Sequence, residues 1–196
     1  LMKMSFAAPR MPRAGTVVVA VMDDLKMSPH AIEIDKQTGG AIKRAMDVSR
    51  FTGKSDEILM IPGPPNMGDV TRIMLIGVGK PKPGDRSVRQ NRGGVILNAL
   101  NNVGEQNASF FVNAFTGKDT AMAAADLAYG ARLRSYRFDK YRTKEKPEHK
   151  PSMKELTFLV DGPKAAEKDF EPLDKVAEGV FFTRDLVSEP ANVIYP

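Results

Sequence analysis

Strand patterns that alternate with helical patterns along the chain predict an α/β sandwich, and two stretches shape its sheet. Thr16-Val-Val-Val-Ala-Val-Met22 is β-branched and apolar at both parities, as a central strand covered on both faces must be. Asp56–Ile61 and Thr71–Val78 are two β-prone runs separated by Pro62-Gly-Pro-Pro-Asn-Met-Gly-Asp69, a loop rich in turn formers, so they form an antiparallel pair and the sheet is mixed.

Taken in order, the elements are each motivated by local chemistry. Leu1 to Gly15 holds too short an apolar stretch for a signal peptide and is set aside as a non-native remnant or flexible arm. Ile42, Ala45 and Met46 share one helical face, which predicts a helix over Gln37–Phe51 with Gly39-Gly40 near its start. Ser87-Val-Arg-Gln90 has the form of a capping box, followed by the apolar face Val95, Ile96, Leu97, Ala99, Leu100 and Val103 and by Gly104 as a C-cap. Gly93-Gly94 inside that helix costs about 1 kcal/mol each relative to Ala, so close packing against the sheet is expected there. Ser109–Ala114 reads as a strand, Thr120–Tyr136 as an Ala-rich helix and Glu155–Val160 as the last strand.

A final helix places Leu173, Val176, Ala177, Val180 and Phe181 on one face, with Pro172 in its first turn and Pro190 as its stop. The expected division is therefore an arm at 1–15, a domain at 16–165 and a linker helix with the start of a further domain at 166–196.

Composition narrows the function classes. With 42% hydrophobic and 27% charged residues, a chain of 196 residues can build its own core, burying roughly 70% of its unfolded surface. The absence of Cys excludes disulfides, thiol catalysis and thiolate metal sites, and fits a reducing, cytoplasmic setting. No apolar run approaches the ~20 residues of a membrane-spanning helix.

Thr183-Arg-Asp-Leu-Val-Ser-Glu-Pro-Ala-Asn-Val-Ile-Tyr-Pro196 resembles the junction of the leucyl aminopeptidase (cytosol aminopeptidase) family, where such a helix joins an N-terminal domain to the catalytic domain. Arg184, Asp185, Glu189, Pro190, Asn192 and Pro196 carry the match, together with Leu186, Val187 and Ala191; Ser188 stands where Asn is common. Asp35 to Gly40, Phe51-Thr-Gly-Lys54, Arg72 to Lys80 and Leu127 to Lys144 also resemble that family's N-terminal domain.

The resemblance implies a three-layer α/β/α sandwich with a mixed sheet, macro-domain-like, whose partner is its own catalytic domain. It further implies a cytoplasmic homohexamer that removes N-terminal residues, leucine preferred, from peptides with two divalent metals, Zn or Mn. The domain itself would serve assembly and access to the active site.

Within this segment no catalytic, cofactor-binding or metal-binding residue is expected. The family's Asn-Thr-Asp-Ala-Glu-Gly-Arg-Leu metal segment is absent, no Ser lies in a Gly-x-Ser-x-Gly elbow, and His30 and His149 read as separate surface residues. Asp23-Asp24 after a strand reads as a solvated loop. Gly77-Val-Gly-Lys80 lacks a helix start, because Pro81 and Pro83 follow it. Thr38-Gly-Gly-Ala-Ile-Lys-Arg-Ala45 resembles part of the ADP-ribose-binding segment of macro domains, without its asparagine pattern.

Charge gives the alternative function. Arg132–Lys154 contains nine basic residues against Asp139, Glu145 and Glu148, a net of +6 that exceeds the +5 of the whole chain. Arg132, Arg134, Arg137, Lys140, Arg142 and Lys144, interleaved with Tyr136, Phe138 and Tyr141, are the candidate nucleic-acid contacts, DNA being bound by some bacterial members of the family. A solvated helix end and loop is the plainer reading of the same residues.

Overall fold

Side-chain alternation along the strands sets the layers. The computed structural model describes residues 2–80, 85–112, 119–146, 150–190 and 193. Along β2 (Ala14–Met22), Val17, Val19 and Val21 enter one apolar cluster and Val18 the other, and all four are fully buried. The same alternation runs along β5 (Asp69–Gly79), where Ile73 and Leu75 face one cluster and Met74 and Ile76 the other. Each strand thus needs cover on both sides, and helices supply it.

The seven-stranded sheet has the order β1-β7-β6-β2-β5-β4, with β1 at Lys3–Ala7, β4 at Ile58–Pro62, β6 at Asn107–Phe111 and β7 at Glu155–Leu159. β4 runs antiparallel to β5, as the intervening loop predicts, and the short β3 (Lys26–Met27) runs antiparallel to β2; the other pairings are parallel. Helices α1 (Pro29–Gln37) and α2 (Ala41–Asp47) cover one face. Helices α3 (Arg86–Asn102), α4 (Thr120–Arg134) and α5 (Pro163–Ser188) cover the other. The fold is the expected α/β sandwich with a mixed sheet.

Several elements differ from the sequence reading. Within the supposed arm 1–15 lies the edge strand β1, whose Ser5 hydroxyl donates to Glu155 at 2.6 Å and whose Phe6 stacks on Phe158 at 5.6 Å. Five residues of alternation are too few to stand out without the neighbouring strand. The helix expected over 37–51 is the shorter α2, and α1 precedes it: Ser28 caps α1 by accepting from Ala31 N–H, Pro29 opens it, and Gly40 at φ 85° turns the chain into α2.

At α3 the cap is Asp85, which accepts from Ser87 N–H and Val88 N–H, while Gln90 donates across to Asp126 instead of folding back. Pro172 lies inside α5 rather than in its first turn, and Pro163 takes the opening position. Because Ala166 and Phe170 of α5 belong to the core, the domain does not end at 165. Residues 113 and 114 of the strand expected at Ser109–Ala114 lie outside the described residues.

Candidate functional site

The end of α4, the segment that follows it and the last turns of α5 form one connected surface, and this brings the basic window against the junction motif. α4 reaches this place by unusually close packing. A Cβ on Gly130 would lie 1.6 Å from the Gln90 carbonyl oxygen, and one on Gly93 would lie 1.9 Å from that of Leu127. The close approach foreseen for Gly93 is therefore to α4, not to the sheet. At the other end of this contact, the fully buried Asp126 accepts from Arg86, Arg89 and Gln90, so α3 and α4 are pinned by a satisfied charge as well as by contact.

α5 is held in two places. Arg132, only 5% exposed, donates from Nε to Asp174 at 2.6 Å and from Nη1 to the Met2 carbonyl at 2.6 Å, tying α4, α5 and the chain leading into β1 together. Farther along, Tyr136 packs its ring against Phe181 at 5.2 Å, donates its hydroxyl to Asp185 at 2.9 Å, and receives the Arg184 guanidinium over its face at 4.0 Å. Lys140 Nζ donates to Glu189 Oε1 at 2.6 Å, and the Tyr141 hydroxyl donates to Glu189 Oε2.

The electrostatics follow from these contacts. Lys140 beside it, then Tyr141, hold the Glu189 carboxyl below its ordinary value, and the same bond raises Lys140. Partial burial and then the bond to Asp185 push the Tyr136 phenol up. The Glu145 carboxyl is lowered by its bond with Arg137.

The predicted nucleic-acid contacts consequently have different fates. Arg132 is buried and engaged within the fold, which removes it from any ligand-facing set. Arg137 pairs with Glu145 and lies 3.7 Å from Asp139, and Lys140 pairs with Glu189. Arg134 is exposed and donates to Asn98 at 2.7 Å, Arg142 lies 3.9 Å from Glu145, and exposed Lys144 has no ion-pair partner among the described residues. Tyr136 and Tyr141, considered as stacking groups for a nucleic acid, hold α5. Of the junction motif, Arg184, Asp185 and Glu189 are brought into this clamp, Pro190 follows it exposed, and Asn192 and Pro196 lie outside the described residues.

Both glycine segments are tied into the fold. At Thr38–Ala45, the Asp35 carboxylate already accepts from Lys43 N–H at the start of α2. Gly77 lets the 53–57 turn lie directly on β5, since a Cβ there would meet the Lys54 carbonyl oxygen at 2.0 Å. His30, read as a surface residue, is half-buried and stacks on Phe111 at 4.1 Å; His149 lies outside the described residues. Asp23 and Asp24 sit in a short 3₁₀ turn.

Among the described residues no three His, Asp or Glu side chains gather as a metal would require. Sequence reasoning missed the clamp's acidic half, although Asp185 in the last turn of the helix and Glu189 just past its end could have been paired with the basic run.

Comparison with known proteins gives a consistent result. The profile of the N-terminal domain of the cytosol aminopeptidase family matches residues 18–145. A probable cytosol aminopeptidase of Caulobacter vibrioides is 37% identical, over 100% of this chain and 39% of that protein. One of Methylorubrum populi is 38% identical, over 94% and 36% respectively. This chain thus spans about two fifths of the length of the curated relatives it matches. In structure it is similar to a mutant of tomato leucine aminopeptidase, with a TM-score of 0.79 at 20% identity, covering 100% of this chain and 40% of that one. The bottromycin maturation enzyme BotP gives 0.65 at 17% identity, over 93% and 34%; at these identities the likeness is one of fold.

Proposed function

Because this chain belongs to the cytosol aminopeptidase family and carries its N-terminal domain, we propose that it is the non-catalytic part of a metal-dependent leucyl aminopeptidase of the cytoplasm. The whole enzyme removes N-terminal residues, leucine preferred, from peptides, using two divalent metal ions (Zn or Mn) held by a catalytic domain that follows this one. This domain serves assembly into a homohexamer and governs access to the active site.

The observation that carries the reading is the state of α5. Its inner face is committed to the domain through Ala166, Phe170 and Ala177, its end is fixed by the clamp, and beyond the clamp contacts Phe182, Leu186 and Val187 remain 65%, 47% and 83% exposed. A rigid helix that ends in apolar side chains suits the docking of a further domain. No described helix is long and apolar enough to cross a membrane.

Activity tests the division of labour. The 196-residue chain, given leucine p-nitroanilide with manganese or zinc, is expected to release no p-nitroaniline, whereas a protein extended past Pro196 by a catalytic domain is expected to release it. Turnover by the short chain would overturn the assignment of catalysis to the following domain. An extended protein that holds its metals and cleaves no leucine substrate would overturn the leucine preference.

A further inference from the structure

Away from the clamp, the segment 10–14 and the face of β6 and β7 enclose a cleft of about 1060 Å³. α1 and α2 lie chiefly over β2 and β4, and beyond the His30–Phe111 stack the same face of β6 and β7 is left to this cleft. Its floor carries Ser109 and Thr157, which are register partners across β6 and β7 and therefore point to the same side of the pleat. Both are half-buried, and neither hydroxyl has a hydrogen-bond partner among the described residues.

Arg10 and Arg13 line the rim, and neither has an ion-pair or hydrogen-bond partner for its guanidinium among the described residues. This sets them apart from Arg86, Arg89 and Arg132, each of which is spent on a carboxylate of the fold. One wall is already rigid: Gln37 Nε2 donates to the Asn66 carbonyl at 2.8 Å and Asn66 Nδ2 returns to that of Gln37 at 3.3 Å.

We propose that this cleft binds a small organic anion, one carboxylate or phosphate group on an apolar body. Two free guanidinium groups and two free hydroxyls supply donors for an oxyanion, and half-buried hydroxyls gain more from a charged acceptor than from water. Met11, with the edges of the nearly buried Met67 and Leu159, offers contact in the same lining for an apolar body. Asp69 also lines the cleft and leaves it with a net charge of only +1, which favours a compact anion over a polyanion. The inference is independent of the peptidase reading and its test does not use peptide hydrolysis.

Calorimetry of the whole chain with three probes, phenyl phosphate, hexanoate and inorganic phosphate, decides it. Phenyl phosphate or hexanoate is expected to bind at submillimolar concentration and inorganic phosphate more weakly, the stronger of the first two identifying the anion preferred. Arg10→Ala with Arg13→Ala, and separately Thr157→Val, should each weaken that probe about tenfold, the scale of a lost charge-assisted hydrogen bond. Circular dichroism checks that each variant folds, and Ser109→Ala replaces Thr157→Val should the latter unfold. Failure of both organic probes to bind at millimolar concentration overturns the proposal, as does binding that the arginine and hydroxyl variants leave unchanged.

Discussion

Gly130 and Gly93 place two helices closer than any side chain allows. With Gly130→Ala the new Cβ would lie 1.6 Å from a backbone oxygen that cannot swing aside, so α3 and α4 must separate. Overpacking of this kind costs about 1–3 kcal/mol. Urea unfolding should show a lower midpoint with an unchanged slope. Gly179→Ala is the matched control: among the described residues nothing lies within 4 Å of its Cβ, so the added helix propensity should stabilise by up to about 1 kcal/mol. Equal midpoints for the two variants would contradict the backbone contact. Gly93-Gly94 suggested close packing, yet only the pairing of Gly93 with Leu127 identifies α4 as the neighbour.

Between elements, the Lys140–Glu189 part of the hold on the end of α5 depends on two charges of opposite sign. Glu189 is held below its ordinary value, so its bond is present near neutrality and is lost as pH falls through that lowered value. Lys140 is raised, so its contribution is present below its ordinary range and is lost only as pH rises through the raised value. The Glu189 contacts are therefore closed across neutral pH and open in acid, while the Tyr136 ring stays against Phe181. Ring resonances of Tyr141, followed by NMR from pH 7 downward, should shift with a midpoint below that of an ordinary glutamate. The transition should vanish in Glu189→Gln. A Tyr141 signal that ignores pH in the native chain would remove Glu189 from the clamp.

For the whole molecule, the exposed side of α5 sets behaviour in solution. Phe182, Leu186 and Val187 would each gain about 1.5–3 kcal/mol on full burial, enough together to drive association when no other domain covers them. Sedimentation at tens of micromolar should reveal dimers or larger species, and the combined Phe182→Ser, Leu186→Ser and Val187→Ser variant should sediment as a monomer. A strictly monomeric native chain would mean that these residues fold back on the domain. Charge acts differently at this scale: the +6 window reads as a surface from sequence, but two of its acidic partners, Asp174 of α5 and Glu189 just past that helix, come from beyond the window.

Sequence alone was sufficient for the α/β class, the antiparallel pair β4–β5 and the family, because a β-branched run apolar at both parities, a proline-rich turn and a run of matched residues at the chain's end are all local. It also held the start of α1 in plain form, Ser28-Pro29, a signal of cap and first turn that the stronger apolar run after Gly40 obscured. Tertiary structure decided the rest. β1 exists because β7 offers it an edge and Phe158 and Phe170 receive Phe6; Asp85 caps α3 because Asp126 draws Gln90 away; Arg132 is a buried tie because Asp174 and the Met2 carbonyl meet it there. In each case the deciding partner is tens of residues distant along the chain, and the energy of a hydrogen bond or ion pair depends on a neighbour that only folding supplies.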